Sequence, residues 1–300
     1  MNTSADKAPV NASPLKENAI RIGRPTPLTT IVTEPKSFEK NKPAVLILNS
    51  GVMHHIGTCR VSVKIARLLA ESGFLAARFD FSGIGDSETR RGTQSFQESS
   101  VVEIKEVMDY LQRKKGINKF IVYGLCSGAD ASYEIALRDE RIIGMAQIDS
   151  YCYRNWKWYL MHFGPRILDL GVWVRLLKRM TDNTAKTDSF SVASVDEEFV
   201  EMPSYIRVFP PREEIAKGLN SLAQKNVHMY NIFTGGALEV YNHQSQYEDG
   251  FSDVDFKELL TVDYYCDLEH IITDPNYQKL IPQKICQWVQ MVAEKNISPQ

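Results

Sequence analysis

Short apolar runs alternate along the chain with segments whose apolar residues recur every three or four positions. Ala44-Val45-Leu46-Ile47-Leu48 is apolar without interruption, the pattern of a strand buried on both faces. Comparable runs at Ile20–Ile22, Leu28–Val32, Leu75–Phe79, Lys119–Tyr123, Ile142–Ile148, Val227–Thr234 and Thr261–Cys266 bring the predicted strands to eight. Val61, Ile65, Leu68 and Leu69 share one helical face, and Gly73 follows as a stop. Val101, Ile104, Met108 and Leu111 form a second stripe, closed by Gly116. Ile281, Ile285, Trp288, Val289 and Val292 form a third, with Asp274-Pro275 expected to open that helix. Strands alternating with helices predict an α/β fold. Its sheet is expected to be mostly parallel from about Ala44, after an opening hairpin, with helices on its flanks.

Two stretches break this rhythm. Residues 1–18 are polar and rich in Ser, Asn, Lys and Pro, and are expected to be a mobile tail. Residues 151–212 fit no strand–helix pair. They open with Tyr151, Tyr153, Trp156, Trp158, Tyr159 and Phe163, continue with a helical pattern over 166–180, then turn polar over 181–194. This stretch is expected to be a helical cap inserted between strands, splitting the core into 19–150 and 213–300. Insertions over the C-terminal edge of a sheet commonly cover a site.

Charge then removes one class of function. The chain's 300 residues carry 35 Lys plus Arg against 37 Asp plus Glu, a formal net charge of −2, whereas gripping nucleic acid by its phosphates needs a basic excess. Five cysteines without a repeated short spacing argue against a disulfide framework or a zinc ribbon. No apolar run is long enough for a membrane span, and the polar opening lacks the apolar stretch of a secretory signal. A cytoplasmic protein without stable membrane insertion is expected.

The segment richest in chemistry is Gly124-Leu125-Cys126-Ser127-Gly128, between the strand at Lys119–Tyr123 and a helical pattern through Ala131, Ile135 and Ala136. A strand, a tight Gly-x-nucleophile-x-Gly turn and a helix make a nucleophile elbow, with Cys126 at the reactive position and the helix N-terminus aimed at it. Asn49-Ser50-Gly51-Val52-Met53 follows the first buried strand. Its Val52 or Met53 N–H, with the Ser127 N–H, would form an oxyanion hole. Asp80, in the glycine-rich Arg78–Ser87 segment, is expected to bond nearby backbone. His54 and His55 are adjacent and do not share a face, so a metal pair there is not expected. His270 follows the last strand and is the expected base. The acid that orients it is Glu239, just beyond the penultimate strand, with Asp149 as second choice; Asp249 and Asp253 read as solvated charges.

Together, Leu48–Gly51, Arg78–Ser87, Gly124–Ala129 and His270 make most of the chain, from about Ile20 to Val292, resemble the α/β-hydrolase superfamily. Within it the chain is similar to serine-aminopeptidase-like and exosortase-associated bacterial hydrolases, with Thr234-Gly235-Gly236 a further mark. The resemblance implies a mostly parallel sheet, helices on both faces, a cap, and a triad of Cys126, an acid and His270. The departure from the commonest pattern is cysteine in place of serine, which dienelactone hydrolases and polyhydroxyalkanoate synthases share.

The expected chemistry is acyl transfer through a thioester on Cys126, giving a thioesterase, esterase or acyltransferase. Neither cofactor nor metal is expected. Reaching a thioester from an oxygen ester is uphill, whereas from another thioester it is nearly isoenergetic, so coenzyme A or an acyl carrier protein is the expected acyl donor. The aromatics Tyr151, Tyr153, Trp156, Trp158 and Tyr159 would line an apolar acyl pocket or pack the cap. Arg166, Arg175, Lys178 and Arg179 would meet an acidic carrier or form a solvated face. The rival reading is a binding protein that keeps the fold without its catalysis.

Overall fold

The computed structural model describes residues 15–90, 93–168, 207 and 209–297. Its strands are β1 (Lys16–Ile22), β2 (Leu28–Glu34), β3 (Ala44–Ile47), β4 (Ala76–Phe79), β5 (Phe120–Leu125), β6 (Ile142–Ile148), β7 (His228–Thr234) and β8 (Leu260–Tyr265). They form one sheet in the order β1-β2-β4-β3-β5-β6-β7-β8. β1 and β2 make an antiparallel hairpin and β2 lies antiparallel to β4. From β4 through β3 to β8 every pairing is parallel. The carboxyl ends of β3 to β8 therefore share one edge of the sheet, where an α/β fold builds its site.

Strand periodicity explains the two cores. Alternate side chains point to opposite faces. Leu46, Phe120, Val122, Met145, Met229 and Phe233 pack on one face against α2 (Phe96–Lys115), α3 (Ser127–Arg138) and α5 (Arg212–Gln224). Val45, Ile47, Ile121, Tyr123, Ala146 and Ile232 pack on the other against α1 (Val61–Glu71) and α7 (Tyr277–Ile297). Fully burying a large apolar side chain contributes about 1.5–3 kcal/mol, so these rows are the main force holding the sheet between its helices. The remaining helices are α4 (Trp156–Leu168) and the short α6 (Gln246–Gly250).

Local signals set the helix ends. Ser95 and Glu98 form a capping box at the start of α2, and Gly116 ends it in the left-handed region at φ 72°. α7 starts at Tyr277, later than the Asp274-Pro275 pair suggests. The Asp274 carboxylate accepts the Asn276 N–H at 2.7 Å and its carbonyl accepts the Gln278 N–H at 3.0 Å, so Asp274 closes a turn ahead of the helix. β1 starts at Lys16, inside the segment expected to be a mobile tail. Its backbone pairs with β2, Glu17 bridges Arg67 and Arg78, and Asn18 donates to Glu34. A polar edge strand held this way carries no apolar signature.

Between β6 and β7 the strand–helix rhythm is broken by α4 and the chain leading to α5. Residues 169–206, and with them most of the expected 166–180 helix and all of the polar 181–194 stretch, lie outside the described residues. No helix among the described residues is long and apolar enough to cross a membrane.

Candidate active site

β5 runs straight into α3 through Cys126, which takes φ 54° and ψ −119°. A non-glycine residue in this region is strained, and the surrounding contacts must hold it there. The Cys126 N–H donates to the Ile148 carbonyl at 2.9 Å, fastening the elbow to the end of β6. The flanking glycines are required by crowding. A Cβ on Gly124 would lie 2.1 Å from the Gly128 carbonyl carbon, and one on Gly128 would lie 2.4 Å from the Asn49 carbonyl oxygen. The turn therefore closes only without those side chains, leaving the Cys126 thiol half-buried at the N-terminus of α3.

The next strand supplies the carboxylate. Asp149 directly follows β6 at φ 50°, and its N–H donates to the Ile232 carbonyl at 2.9 Å. Thr234, ending β7, donates its N–H to Asp149 Oδ1 and its hydroxyl to Oδ2, both at 2.8 Å. His270, on the loop after β8, approaches Asp149 Oδ2 through Nδ1 at 2.5 Å. A short 3₁₀ turn, Gly235–Ala237, passes directly beneath His270. Four consecutive strand ends thus contribute the thiol, the carboxylate, the threonine that braces it and the imidazole.

The charges in this row reinforce one another. The hydrogen bond His270 donates to Asp149, and then the neighbouring Cys126, raise the His270 pKa to about 10, against the opposing effect of burial. Burial alone would push the Cys126 thiol up, but His270, Arg207 and the Ser127 N–H together hold it below the ordinary value. A thiol lowered and an imidazole raised in one pair both shift it towards thiolate–imidazolium.

The geometry separates the two expected acids. Asp149, second in the sequence reading, is the carboxylate on His270. Glu239, first in it, is exposed, and its main-chain carbonyl accepts from Arg154 Nε at 2.6 Å. The reason is conformational: left-handed backbone at Asp149 turns its carboxylate towards the β7 end, where Thr234 locks it. Asp249 is paired with Lys157, and Asp253 with Arg212.

The two expected oxyanion donors on the Ser50 loop also separate. The Met53 N–H is spent on the Ser50 carbonyl at 2.9 Å, which removes Met53 from that role. The Val52 N–H has no partner among the described residues. Ser127 contributes its hydroxyl as well, accepting the Gly51 N–H at 2.7 Å and tying this loop to the elbow. Asp80 anchors the loop from below. Its carboxylate accepts from the Asn49 side chain, the His55 N–H, the His55 ring and the Asp86 N–H at 2.5–3.1 Å. Donors therefore fill both oxygens, and His55, Asp80 and Asp86 form a hydrogen-bonded anchor.

The aromatic cluster divides as well. Tyr151 is buried against Tyr133 and Phe209. The Tyr153 hydroxyl donates to the Pro210 carbonyl at 2.6 Å. Trp158 is 3% exposed, stacks on His162, and donates its indole N–H to the Leu238 carbonyl at 3.2 Å. Trp156 and Tyr159 are 69% and 49% exposed. Trp158→Ala is therefore expected to cost about 3–5 kcal/mol of stability. A urea melt reads that loss, and short and long acyl substrates should be affected alike. A full-height melt with a selective loss for long chains would instead make Trp158 an acyl-pocket wall.

A family model described as serine aminopeptidase, S33, matches residues 40–203. No curated protein matches the chain. Among solved structures, the proline iminopeptidase of Mycobacterium smegmatis superposes with a TM-score of 0.57 at 14% identity, covering 93% of this chain and 99% of its own. An esterase of Pyrococcus furiosus gives 0.58 at 12% identity and 96% of each chain. A serine hydrolase without a lid from Xanthomonas campestris gives 0.53 at 14% identity, covering 97% and 99%. At such identities these likenesses speak to the fold. The family match spans more than half of the chain and includes the elbow. This chain belongs to the serine aminopeptidase S33 family of α/β-hydrolases, with Cys126 at the tip of the turn between β5 and α3.

Proposed function

We propose that the protein is an acyl-transfer hydrolase working through a Cys126–His270–Asp149 triad and a thioester acyl-enzyme. One observation carries the reading: the strained elbow holds Cys126 beside an imidazole whose other nitrogen is fixed on Asp149 at 2.5 Å. In the first step the Cys126 sulfur attacks the acyl carbonyl while the Val52 and Ser127 N–H groups receive the oxyanion. The tetrahedral intermediate collapses, the C–S or C–O bond to the leaving group breaks, and His270 gives that group its proton. Water or another acceptor then loses a proton to His270 as it attacks the thioester, releasing the acyl product and the Cys126 thiolate. The Asp149 carboxylate keeps the imidazole in the productive tautomer.

Thioesters on coenzyme A or an acyl carrier protein are the favoured donors, because exchanging one thioester for another is nearly isoenergetic. The 151–212 segment, read as a cap, would choose the acyl chain. Incubating the protein with acyl thioesters and reading its intact mass tests the proposal. The expected result is one acyl mass, mapped to Cys126, that decays as product appears. A protein that binds these substrates without ever acquiring the mass would instead be a binding protein on a hydrolase fold.

A further inference from the structure

One charged group at the site has no part in the triad. Arg207 is largely buried, and its guanidinium touches both halves of the machinery. Nε and Nη2 donate to the two oxygens of Asp130 at 2.7 Å each, a bidentate pair on the first turn of α3. Nη1 donates to the main-chain carbonyl of Asp149 at 2.8 Å. The guanidinium carbon lies 4.6 Å from the Phe209 ring centroid and 5.2 Å from that of Tyr151, so the fork is held in plane between its partners. The bonded carbonyl belongs to the residue at φ 50° whose carboxylate orients His270.

We propose that Arg207 is a positioning residue, fixing the left-handed backbone of Asp149 to the nucleophile helix and setting a positive charge beside Cys126 whose strength Asp130 tempers. The inference rests on the triad reading above. Two physical consequences follow. Without the Nη1 bond the strained Asp149 carbonyl loses its tie to α3, and the Ile232 and Thr234 bonds alone are left to aim the carboxylate at Nδ1. Without the guanidinium, the sulfur loses one of the positive charges that hold its thiol low, and the thiolate is disfavoured. The charged groups acting on the sulfur are His270 after β8 and Arg207 ahead of α5; Asp149 stands behind His270, and Asp130 on α3 is paired with Arg207.

The test is Cys126 alkylation by iodoacetamide across pH, read by peptide mapping so that Cys59 and Cys266, both exposed, are scored separately. Arg207→Met should raise the Cys126 midpoint by about one pH unit, roughly tenfold less thiolate at a fixed pH below it. Arg207→Lys should move it less, since the ammonium keeps the charge and loses the fork. Asp130→Asn should move it the other way, because the guanidinium charge is no longer offset. Acyl turnover should fall in kcat with KM unchanged in Arg207→Met. A pair with only a structural role would give no such opposite signs: if Arg207→Met and Asp130→Asn shift the midpoint in the same direction or not at all, the proposal is overturned. Should Arg207→Met fail to fold, Asp130→Asn and Arg207→Lys carry the same comparison. A wild-type Cys126 that titrates like Cys59 overturns the triad reading and this one with it. An acid-shifted wild-type Cys126 that these changes leave unmoved overturns the Arg207 role alone.

Discussion

Cys126→Ala is expected to acquire no acyl mass from any thioester donor while keeping its fold. Alanine fits the elbow without adding bulk, and β5 and α3 hold the turn through backbone bonds that the sulfur does not enter. Removing a nucleophile typically costs on the order of a millionfold in kcat, leaving what the oxyanion donors and binding supply. Cys126→Ser separates geometry from acidity. A hydroxyl stays protonated beside His270, so the resting ion pair is lost and His270 must act as a general base in the attack itself. That variant is expected to hydrolyse oxygen esters, since an oxygen-ester intermediate is no longer uphill from such a donor, and to lose the acid-shifted alkylation altogether. Acylation of Cys126→Ala at the wild-type rate would place the nucleophile elsewhere.

The second large effect belongs to the carboxylate. Asp149→Asn is expected to lower kcat by on the order of 10²–10⁴-fold, because an amide in that place favours the wrong imidazole tautomer and no longer stabilises the imidazolium. The pH dependence follows from the His270 shift. Asp149 is the leading cause of its rise to about 10, so His270 should lose its proton at lower pH in Asp149→Asn. The thiolate–imidazolium pair should then give way to neutral thiol and imidazole at neutral pH, and Cys126 alkylation should need a higher pH. Glu239→Gln is expected to leave both turnover and the titration near wild type, since its side chain stands exposed and off the site. Equal losses in Asp149→Asn and Glu239→Gln would remove the distinction drawn from the geometry.

The strands and the elbow were legible because each has a local signature. Uninterrupted apolar runs such as Ala44–Leu48, too short for a buried helix, suit strands packed on both faces, and two glycines bracketing Cys126 after a strand and before a helix suit an elbow. That His270 lies beside Cys126 was legible from chain order. Which carboxylate meets it was not, because that depends on which strand ends lie side by side and on one left-handed φ at Asp149, neither of which has a signature in composition or spacing. The choice between Val52 and Met53 was left open for a similar reason: a single backbone bond to Ser50 decides whether the Met53 N–H is free. Arg207 lay hidden within the stretch whose pattern matched no element. Its partners Asp130 and Asp149 stand 77 and 58 positions away in the chain, so only the folded sheet edge brings them together. β1 was shortened in the reading because Lys16, Glu17 and Asn18 pair through backbone and charge at an edge that needs no apolar face.

The turn beneath His270 bears on how this active site can change. A β-carbon on Gly235 would sit 1.9 Å from the Cys266 carbonyl oxygen, and one on Gly236 would sit 2.6 Å from the His270 backbone nitrogen. Gly235 and Gly236, just past the end of β7, are thus two positions where no side chain fits beneath His270. A carboxylate at either position therefore needs the connection from β8 to His270 rebuilt with it, and grafts that move the acid there should be designed as exchanges of both loops at once.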